Sequence, residues 1–213
     1  MQWSDLVITQ TNRRTERVLF KEFGWRFYLL LAFALSLLAC SPRLDWRTVQ
    51  ASQEAYVALF PGKPEKLERK IIFHDQELSQ TLEAVKIDDD IYSIAAIHLS
   101  KQQIQLAPAL LEFLESNIFK IAGVERLSAN NLEATYQTSS HQRFSIKDYF
   151  LEMKSAGVAQ QAMRVRWLTR PDADGGLWFY QVSVLHSGKL QGDVKSFFSA
   201  EDRAYFFDEF HPD

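Results

Sequence analysis

A-M-R-V-R-W-L-T at residues 162–169 and L-W-F-Y-Q-V-S-V-L-H at residues 177–186 decide the fold class of this chain. In the first stretch apolar side chains alternate with two arginines, Arg164 and Arg166, and a period of two is typical of a β-strand. The residues between the stretches are rich in Asp, Pro and Gly, which favour turns. The two stretches therefore predict a β-hairpin in an antiparallel sheet.

Four earlier stretches also have the composition of strands. They are separated by short turns. Two of these turns are F-P-G-K-P at residues 60–64 and the polar run of three aspartates at residues 88–90. Short turns predict an antiparallel meander, and the most apolar stretch is expected at its centre, covered on both faces. The four stretches are residues 54–60, 67–73, 78–87 and 91–99.

The period of the apolar residues changes to that of an α-helix at residues 107–122. Pro108 suits the first turn of a helix, and Gly123 suits its C-terminal cap. The pattern predicts an amphipathic helix that packs on the sheet. The residues expected to face the sheet are Leu110, Leu111, Leu114, Ile118 and Ile121.

The rest of the chain is less regular. Residues 132–137 are compatible with a strand, and residues 143–154 with either a strand or a short helix. Residues 188–198 form a connection of undetermined structure. Residues 199–202 resemble a capping box, which predicts a final helix with Tyr205, Phe206 and Phe207 facing inward.

The stretch R-F-Y-L-L-L-A-F-A-L-S-L-L-A-C-S-P at residues 26–42 predicts how the protein is held in the cell. Its apolar run is shorter than the roughly 20 residues of a transmembrane helix and suits a secretory signal instead. The end of the run, Leu37-Leu38-Ala39-Cys40, resembles a bacterial lipobox, which implies cleavage between Ala39 and Cys40 and lipidation of the Cys40 thiol. An uncleaved signal anchor, an ordinary signal peptide and a short core helix are the alternatives.

Three parts are expected. The lipobox resemblance implies a signal peptide at residues 1–39 and a lipidated tether at 40–53, and the apolar side chain of Trp46 in that tether is expected to dock on the domain. Residues 54–213 are expected to form a single domain of strands and helices. Two or more acyl chains anchor a protein stably, so the membrane is contacted through the N-terminal acyl chains. The domain is expected to face the periplasm of the cell envelope. In proteobacterial lipoproteins an Asp after the cysteine is typical of retention at the inner membrane, so the resemblance with Ser41 at this position implies the outer membrane. The long segment before the apolar run suggests that translation starts downstream of Met1, at a non-AUG codon such as the one for Val18 or Leu19.

Composition excludes several classes of function. The chain holds 24 Lys and Arg against 27 Asp and Glu, with a net charge of −3. An acidic chain with no basic stripe predicts no nucleic-acid partner. We predict no metal, because the histidines lack ligand spacing and the aspartates at 88–90 read as a solvated turn. Phosphate-binding loops and nucleophile elbows are missing from the sequence, so no cofactor and no catalytic residue are predicted.

The chain after the signal resembles PsbP-like domains over about residues 54–210. The resemblance rests on F-P-G-K-P, the meander, the single long helix, the Arg-rich strand opposite W-F-Y, and the aromatic terminal helix at residues 206–210. It implies an α+β fold in which an antiparallel β-sheet packs between helices, an α/β/α sandwich. It also implies binding or scaffolding of protein partners.

The function expected from these observations is a non-enzymatic binding or assembly module with a protein partner in the envelope. Arg and Trp are enriched in interface hot spots, so the candidate partner surface is Arg164 and Arg166 with whichever of Trp167 and Trp178 is exposed. The two arginines have an alternative interpretation as an exposed strand face paired with neighbouring acids. Two other functions remain: an envelope hydrolase or small-ligand-binding protein with a cleft between sheet and helix, and a purely structural protein. A deep pocket with convergent titratable groups would favour the enzyme.

Overall fold

The computed structural model describes residues 43–126, 130–137, 143–153 and 161–213. Within these ranges the helices are α1 (Ala107–Ala122), α2 (Val194–Phe198) and α3 (Glu201–Asp208), and a 3₁₀ helix, Lys101–Leu106, precedes α1. The described strands are β1 (Arg47–Ala51), β2 (Tyr56–Phe60), β3 (Glu65–Phe73), β4 (Gln76–Ile87), β5 (Asp90–Leu99), β6 (Asn130–Gln137), β7 (Arg143–Met153), β8 (Gln161–Pro171), β9 (Leu177–Ser187) and β10 (His211–Pro212).

The fold is α+β and is dominated by antiparallel sheet. Seven of the described strands form one sheet in the order β3-β4-β5-β9-β8-β7-β6, and three form a small sheet in the order β1-β2-β10. The predicted hairpin is confirmed as β8 and β9. Of the four strands predicted to form a meander, β3, β4 and β5 do so, but the first, β2, pairs instead with β1 and β10 in the small sheet. Residues 143–153 are a strand and not a helix, because β7 pairs with β6 on one side and with β8 on the other.

An aromatic core covers one face of the large sheet. Tyr180 of β9 lies in this core, and its hydroxyl oxygen is 2.8 Å from the carbonyl oxygen of Glu54 and 2.9 Å from that of Ala55. The covering residues come from β2, α2, α3 and the segment before β10: Tyr56, Phe60, Phe198, Phe206, Phe207 and Phe210. Burial of these aromatic rings contributes strongly to the hydrophobic stabilisation of this face.

The N-terminal boundary differs from the prediction. Residues 47–51 were expected in a tether, but they form β1 and pair with β2 from Arg47 opposite Phe60 to Ala51 opposite Tyr56. The docking of Trp46 is confirmed, since its ring lies 5.2 Å from that of Tyr205. Ordered structure therefore begins before residue 54.

The long helix α1 packs on the other face of the large sheet. Its bounds match the prediction, with Pro108 in the first turn and Gly123 as the C-cap at φ 64°. The inward face differs at one position, since Ile121 is 69% exposed while Phe119 and Ala122 are buried. The covered stripe of the helix is thus rotated away from Ile121, toward β7 and β8.

The expected capping box of the terminal helix is wrong. The N-cap of α3 is Ala200, which has no side-chain cap, whereas Asp193 caps α2 by accepting a 3.0 Å hydrogen bond from the Ser196 backbone nitrogen. Phe206 and Phe207 are buried as predicted, but Tyr205 is 43% exposed. The connection at residues 188–198 thus contains a capped helix of its own.

Candidate functional site

The two arginines predicted to form a partner surface are buried. Arg164 and Arg166 are 7% and 6% exposed, and both bind Asp148, which is fully buried. Arg166 holds this carboxylate with two bonds of 3.0 Å, from Nε to Oδ1 and from Nη2 to Oδ2, and Arg164 Nη2 lies 2.9 Å from Oδ2. The prediction of a partner surface at these residues is therefore corrected. Both belong to a buried charge cluster formed by Asp148, Arg164 and Arg166.

The buried charge cluster ties the terminal helices to the sheet. Arg166 Nη1 donates to the carbonyl oxygen of Phe207 at 2.8 Å, and Arg164 Nη1 to that of Phe198 at 3.4 Å. The Arg164 guanidinium also lies 3.9 Å from the ring centroid of Phe207. Burial lowers the pKa of Arg164, and the charge of Asp148 opposes that shift. Since these charges pair with one another and with helix carbonyl groups, the cluster is structural.

The two tryptophans lie in different environments. Trp167 is 4% exposed and belongs to the core beneath α1, on the opposite face of β8 from Arg166. Trp178 is partly buried and packs against His98, with ring centroids 4.6 Å apart. The four predicted residues therefore do not form one exposed surface. Alternation along β8 explains the position of Trp167, because neighbouring residues of a strand point to opposite faces.

An open groove of about 670 Å³ lies between α1 and the large sheet. Its floor includes Leu82, Ala95 and Gln181, which stand side by side because β4, β5 and β9 pair Leu82 with Ala95 and Ala95 with Gln181. Arg69 and Gln80 pair in the next row on the same face. The sheet thus supplies a floor with aliphatic and carboxamide side chains.

The wall of the groove is one side of α1. Leu114, Asn117, Ile118 and Ile121 recur at helical spacing and line it. Glu115 is the acidic residue of α1 nearest in the chain to these lining residues. Its side chain points away from the groove, because it is buried and pairs with Arg126 and Lys147. The helix therefore presents an aliphatic and amide side to the groove.

Both ionisable residues among those lining the groove are basic. Arg69 Nε donates to Gln80 Oε1 at 2.5 Å, so its guanidinium is held by a neutral amide. Lys120, the second cation, is exposed near the C-terminal end of α1. The described lining residues include no carboxylate, histidine, hydroxyl or thiol. The groove is thus suited to binding and carries no pair of groups for acid–base catalysis.

Sequence reasoning offered a cleft between sheet and helix only as an alternative, and it named none of the residues that line this groove. Arg69 and Lys120 lie on different elements, far apart in the chain, and only the packing of α1 beside β3 and β4 brings them to one site. A signal was available in β4, where the amide Gln80 stands on the same face as Leu78 and Leu82. A polar side chain on an apolar strand face is a feature that calls for a functional or structural explanation.

A second group of ionisable side chains lies where β2 meets the large sheet. Glu54 and Glu83 are 4% and 7% exposed, and Lys66 Nζ lies 2.7 Å from Glu54 Oε1. Burial raises the pKa of Glu83, while a hydrogen bond with Tyr56 opposes the shift. Burial and the charge of Glu83 raise the pKa of Tyr56. This group makes stability depend on pH.

The turn of three aspartates differs from the prediction in one residue. Asp88 and Asp89 are exposed, but Asp90 is 2% exposed, with Oδ1 2.6 Å from His186 Nδ1 and Oδ2 2.8 Å from Arg203 Nη2. Asp90 is thus committed to protein partners. In the described ranges, no three His, Cys, Asp or Glu side chains are grouped so that they could hold a metal ion.

Comparison with known proteins gives no family for this chain, since neither a protein-family model nor a curated protein matches it. Within the ranges that the structure describes, no helix has the length and apolar character needed to span a membrane. The lipobox, with Ala39 and Cys40, lies outside the described residues. The predicted signal, cleavage and lipidation stay predictions.

Proposed function

We propose that this protein is a binding or assembly module of the bacterial cell envelope that holds a protein partner in the groove beside α1. The observation that carries the proposal is the composition of that groove: aliphatic and amide side chains, two cations and a volume of about 670 Å³. Exposed aliphatic surface flanks it, since Leu67 of β3 is 59% exposed and Ile121 is 69% exposed. Exposed apolar groups bordered by polar ones are typical of interaction sites.

Site-specific photo-crosslinking tests this site. A photoreactive amino acid at position 121 should capture one predominant protein in cells that express the chain from its own gene. The matched control is the same amino acid at the exposed position of Lys195, in α2. Equal products from both positions, or none from position 121, would contradict the proposal.

We propose that lipid on Cys40 holds the domain at the membrane on the periplasmic side, at the outer membrane rather than the inner one. The support is the lipobox Leu37-Leu38-Ala39-Cys40 followed by Ser41. Two acyl chains would keep the protein on its membrane, and no nucleic-acid partner is part of this role. Labelled palmitate should enter the native chain and not Cys40→Ala, and the label should fractionate with the outer membrane. Label in both chains would refute this anchor.

We propose further that the domain is a PsbP-like α/β/α sandwich. The support is the position of α1 on one face of the large sheet and of α2 and α3 with the core on the other. The helices cover less of the sheet than a full sandwich requires, as the groove beside α1 illustrates. Superposition of an experimental structure on PsbP-like domains tests this assignment, and a different strand order in the seven-stranded sheet would overturn it.

A second candidate, a small-ligand-binding protein, is favoured by one observation. The groove lies between sheet and helix, where the ligand-binding alternative placed its cleft. The same lining residues give no support to hydrolysis, because they include no nucleophile or general base. Competition distinguishes the two candidates: a small ligand that abolishes crosslinking at position 121 would favour this second function.

A further inference from the structure

We infer that the groove beside α1 recognises an extended peptide segment with acidic side chains, and that Arg69 and Lys120 bind its carboxylates. The inference rests on the proposed function and adds the chemistry of the partner. Two observations support it: the basic residues near α1 face the groove while the acidic residues of α1 lie on another side of the helix, and amide side chains line the groove.

Charge around the groove has one sign. Arg69 and Lys120 face it, and among the described residues neither forms an ion pair. On β3 the neighbours of Arg69, Glu68 and Lys70, point to the opposite face, because strand side chains alternate. A carboxylate that enters the groove would therefore meet two cations and no competing acid among the lining residues.

The acids of α1 act on a different side of the helix. Glu115 pairs with Arg126 and Lys147. A hydrogen bond with Tyr149 is the main cause that raises the pKa of Arg126, and the charges of Glu115 and Glu112 add to it. They do not neutralise the groove cations. The guanidinium of Arg69 is oriented by Gln80, and an oriented guanidinium binds a carboxylate well because its donors form a planar fork.

The amides favour a peptide over a lipid. Gln80, Gln181 and Asn117 line the groove with carboxamide groups, each of which has two N–H donors and an acceptor oxygen. A peptide group offers both a donor and an acceptor, so amides match it along its length. A hydrocarbon chain would leave these polar groups without partners, which is costly once water is excluded.

The aliphatic part of the groove suits the other side chains of such a segment. Leu82, Leu114, Ile118 and Ile121 form an apolar strip beside the cations. In an extended segment successive side chains point in opposite directions. Aliphatic residues of the segment can therefore contact this strip while acidic residues reach toward Arg69 and Lys120.

Peptide selection tests the inference. The full-length chain in detergent micelles is immobilised and screened with phage that display random ten-residue peptides. We expect the selected peptides to be enriched in Asp, Glu and aliphatic residues. A fluorescein-labelled copy of the best peptide should lose affinity about tenfold or more when its acids are changed to amides, because charge-assisted hydrogen bonds are roughly twice as strong as neutral ones.

Matched variants assign the effect to the groove. Arg69→Gln/Lys120→Gln should weaken the acidic peptide about tenfold and leave its amide copy unchanged, and raising the salt concentration should weaken the acidic peptide as well. The control Lys189→Gln/Lys195→Gln removes two exposed lysines that do not line the groove and should have no such effect.

Each remaining outcome decides against the inference. Selected peptides without acidic enrichment, or equal binding of the acidic peptide by both double variants, would overturn the inference of an acidic peptide. The proposed function would still stand if crosslinking at position 121 captures a protein. A third outcome is that no peptide is selected and that dansyl-undecanoic acid binds in a way that depends on Arg69. The ligand of the groove would then be an acyl carboxylate and not a peptide. Loss of the crosslink at position 121 would remove the proposed function itself.

Discussion

Replacement of Asp148 by alanine should destabilise the domain strongly, because it removes the only carboxylate that the buried charge cluster contains. Asp148 is fully buried, and three hydrogen bonds of 2.9 to 3.0 Å join it to Arg164 and Arg166. An arginine stays protonated in a protein, so the variant must bury two guanidinium groups without a counter-charge.

The magnitude follows from these contacts. Hydrogen bonds to charged groups contribute about 1.5–3 kcal/mol each, so three would sum to about 4.5–9 kcal/mol if they were independent. They are not independent, because they share one carboxylate, and both guanidiniums keep a helix carbonyl, that of Phe198 or Phe207. We therefore expect a loss of about 3–5 kcal/mol, the range for breaking one partner out of a buried ion pair.

Chemical denaturation of the unit Leu44–Asp213, followed by tryptophan fluorescence, measures this loss. For a domain of this size, the expected loss corresponds to a fall in Tm of roughly 10 °C. Asp208→Asn is the control, since its carboxylate is 3.9 Å from Arg166 and 64% exposed and should contribute less than about 0.5 kcal/mol.

A second variant separates the charge effect from packing. Asp148→Leu combined with Arg164→Met and Arg166→Leu removes all three charges, and apolar replacements of buried ion clusters are often close to neutral. The triple variant should therefore recover most of the stability that Asp148→Ala loses. A loss below about 1 kcal/mol for Asp148→Ala would refute the reasoning, because the guanidiniums would then have to be solvated in the folded state.

Three further predictions concern other parts of the molecule. Burial raises the pKa of Glu83 in the folded state, so the native state binds this proton more tightly than the unfolded chain does, and stability falls as pH rises through the folded pKa. Glu83→Gln should flatten that fall, measured by urea unfolding from pH 4 to 8, and an unchanged pH profile would contradict this assignment. Gly176→Ala should cost about 1–3 kcal/mol in thermal unfolding, because its Cβ would lie 2.6 Å from the Leu99 carbonyl oxygen, and an unchanged Tm would mean that the β8–β9 turn can shift. Ile121→Ser should change stability by less than about 0.5 kcal/mol, because the side chain is 69% exposed. The same variant should reduce recovery of the partner that is crosslinked through a photoreactive residue at position 117. A large loss of stability would place Ile121 in the core.

Much of the secondary structure could be predicted from the sequence because it depends on local periodicity. The helix at Ala107–Ala122 has its apolar spacing, Pro108 and Gly123 within one short segment, and its bounds were correct. The segment that becomes β7 could not be assigned, because Arg143–Met153 is a strand only through pairing with β6 and β8. Strand pairing is a non-local interaction that no local pattern contains.

The residues that line the groove were beyond prediction for a similar reason. Ile121 repeats at the spacing of the buried residues and was expected inward, but the rotation of α1 over Phe119 and Ala122 leaves it exposed beside Lys120. That rotation is set by the packing of α1 against β7 and β8. The position of one helix thus converts an apparent core residue into part of a candidate binding surface.

The sequence by itself determined which residues share a strand face or a helix side, and it predicted the lipid anchor at Cys40. Only the tertiary structure decided which face is covered. Arg164 and Arg166 share a face by alternation, yet the face is buried because Asp148 of β7 supplies their counter-charge and α2 and α3 cover them. Local pattern cannot reveal burial of a charge, since the free energy of burying it depends on partners that arrive from distant parts of the chain.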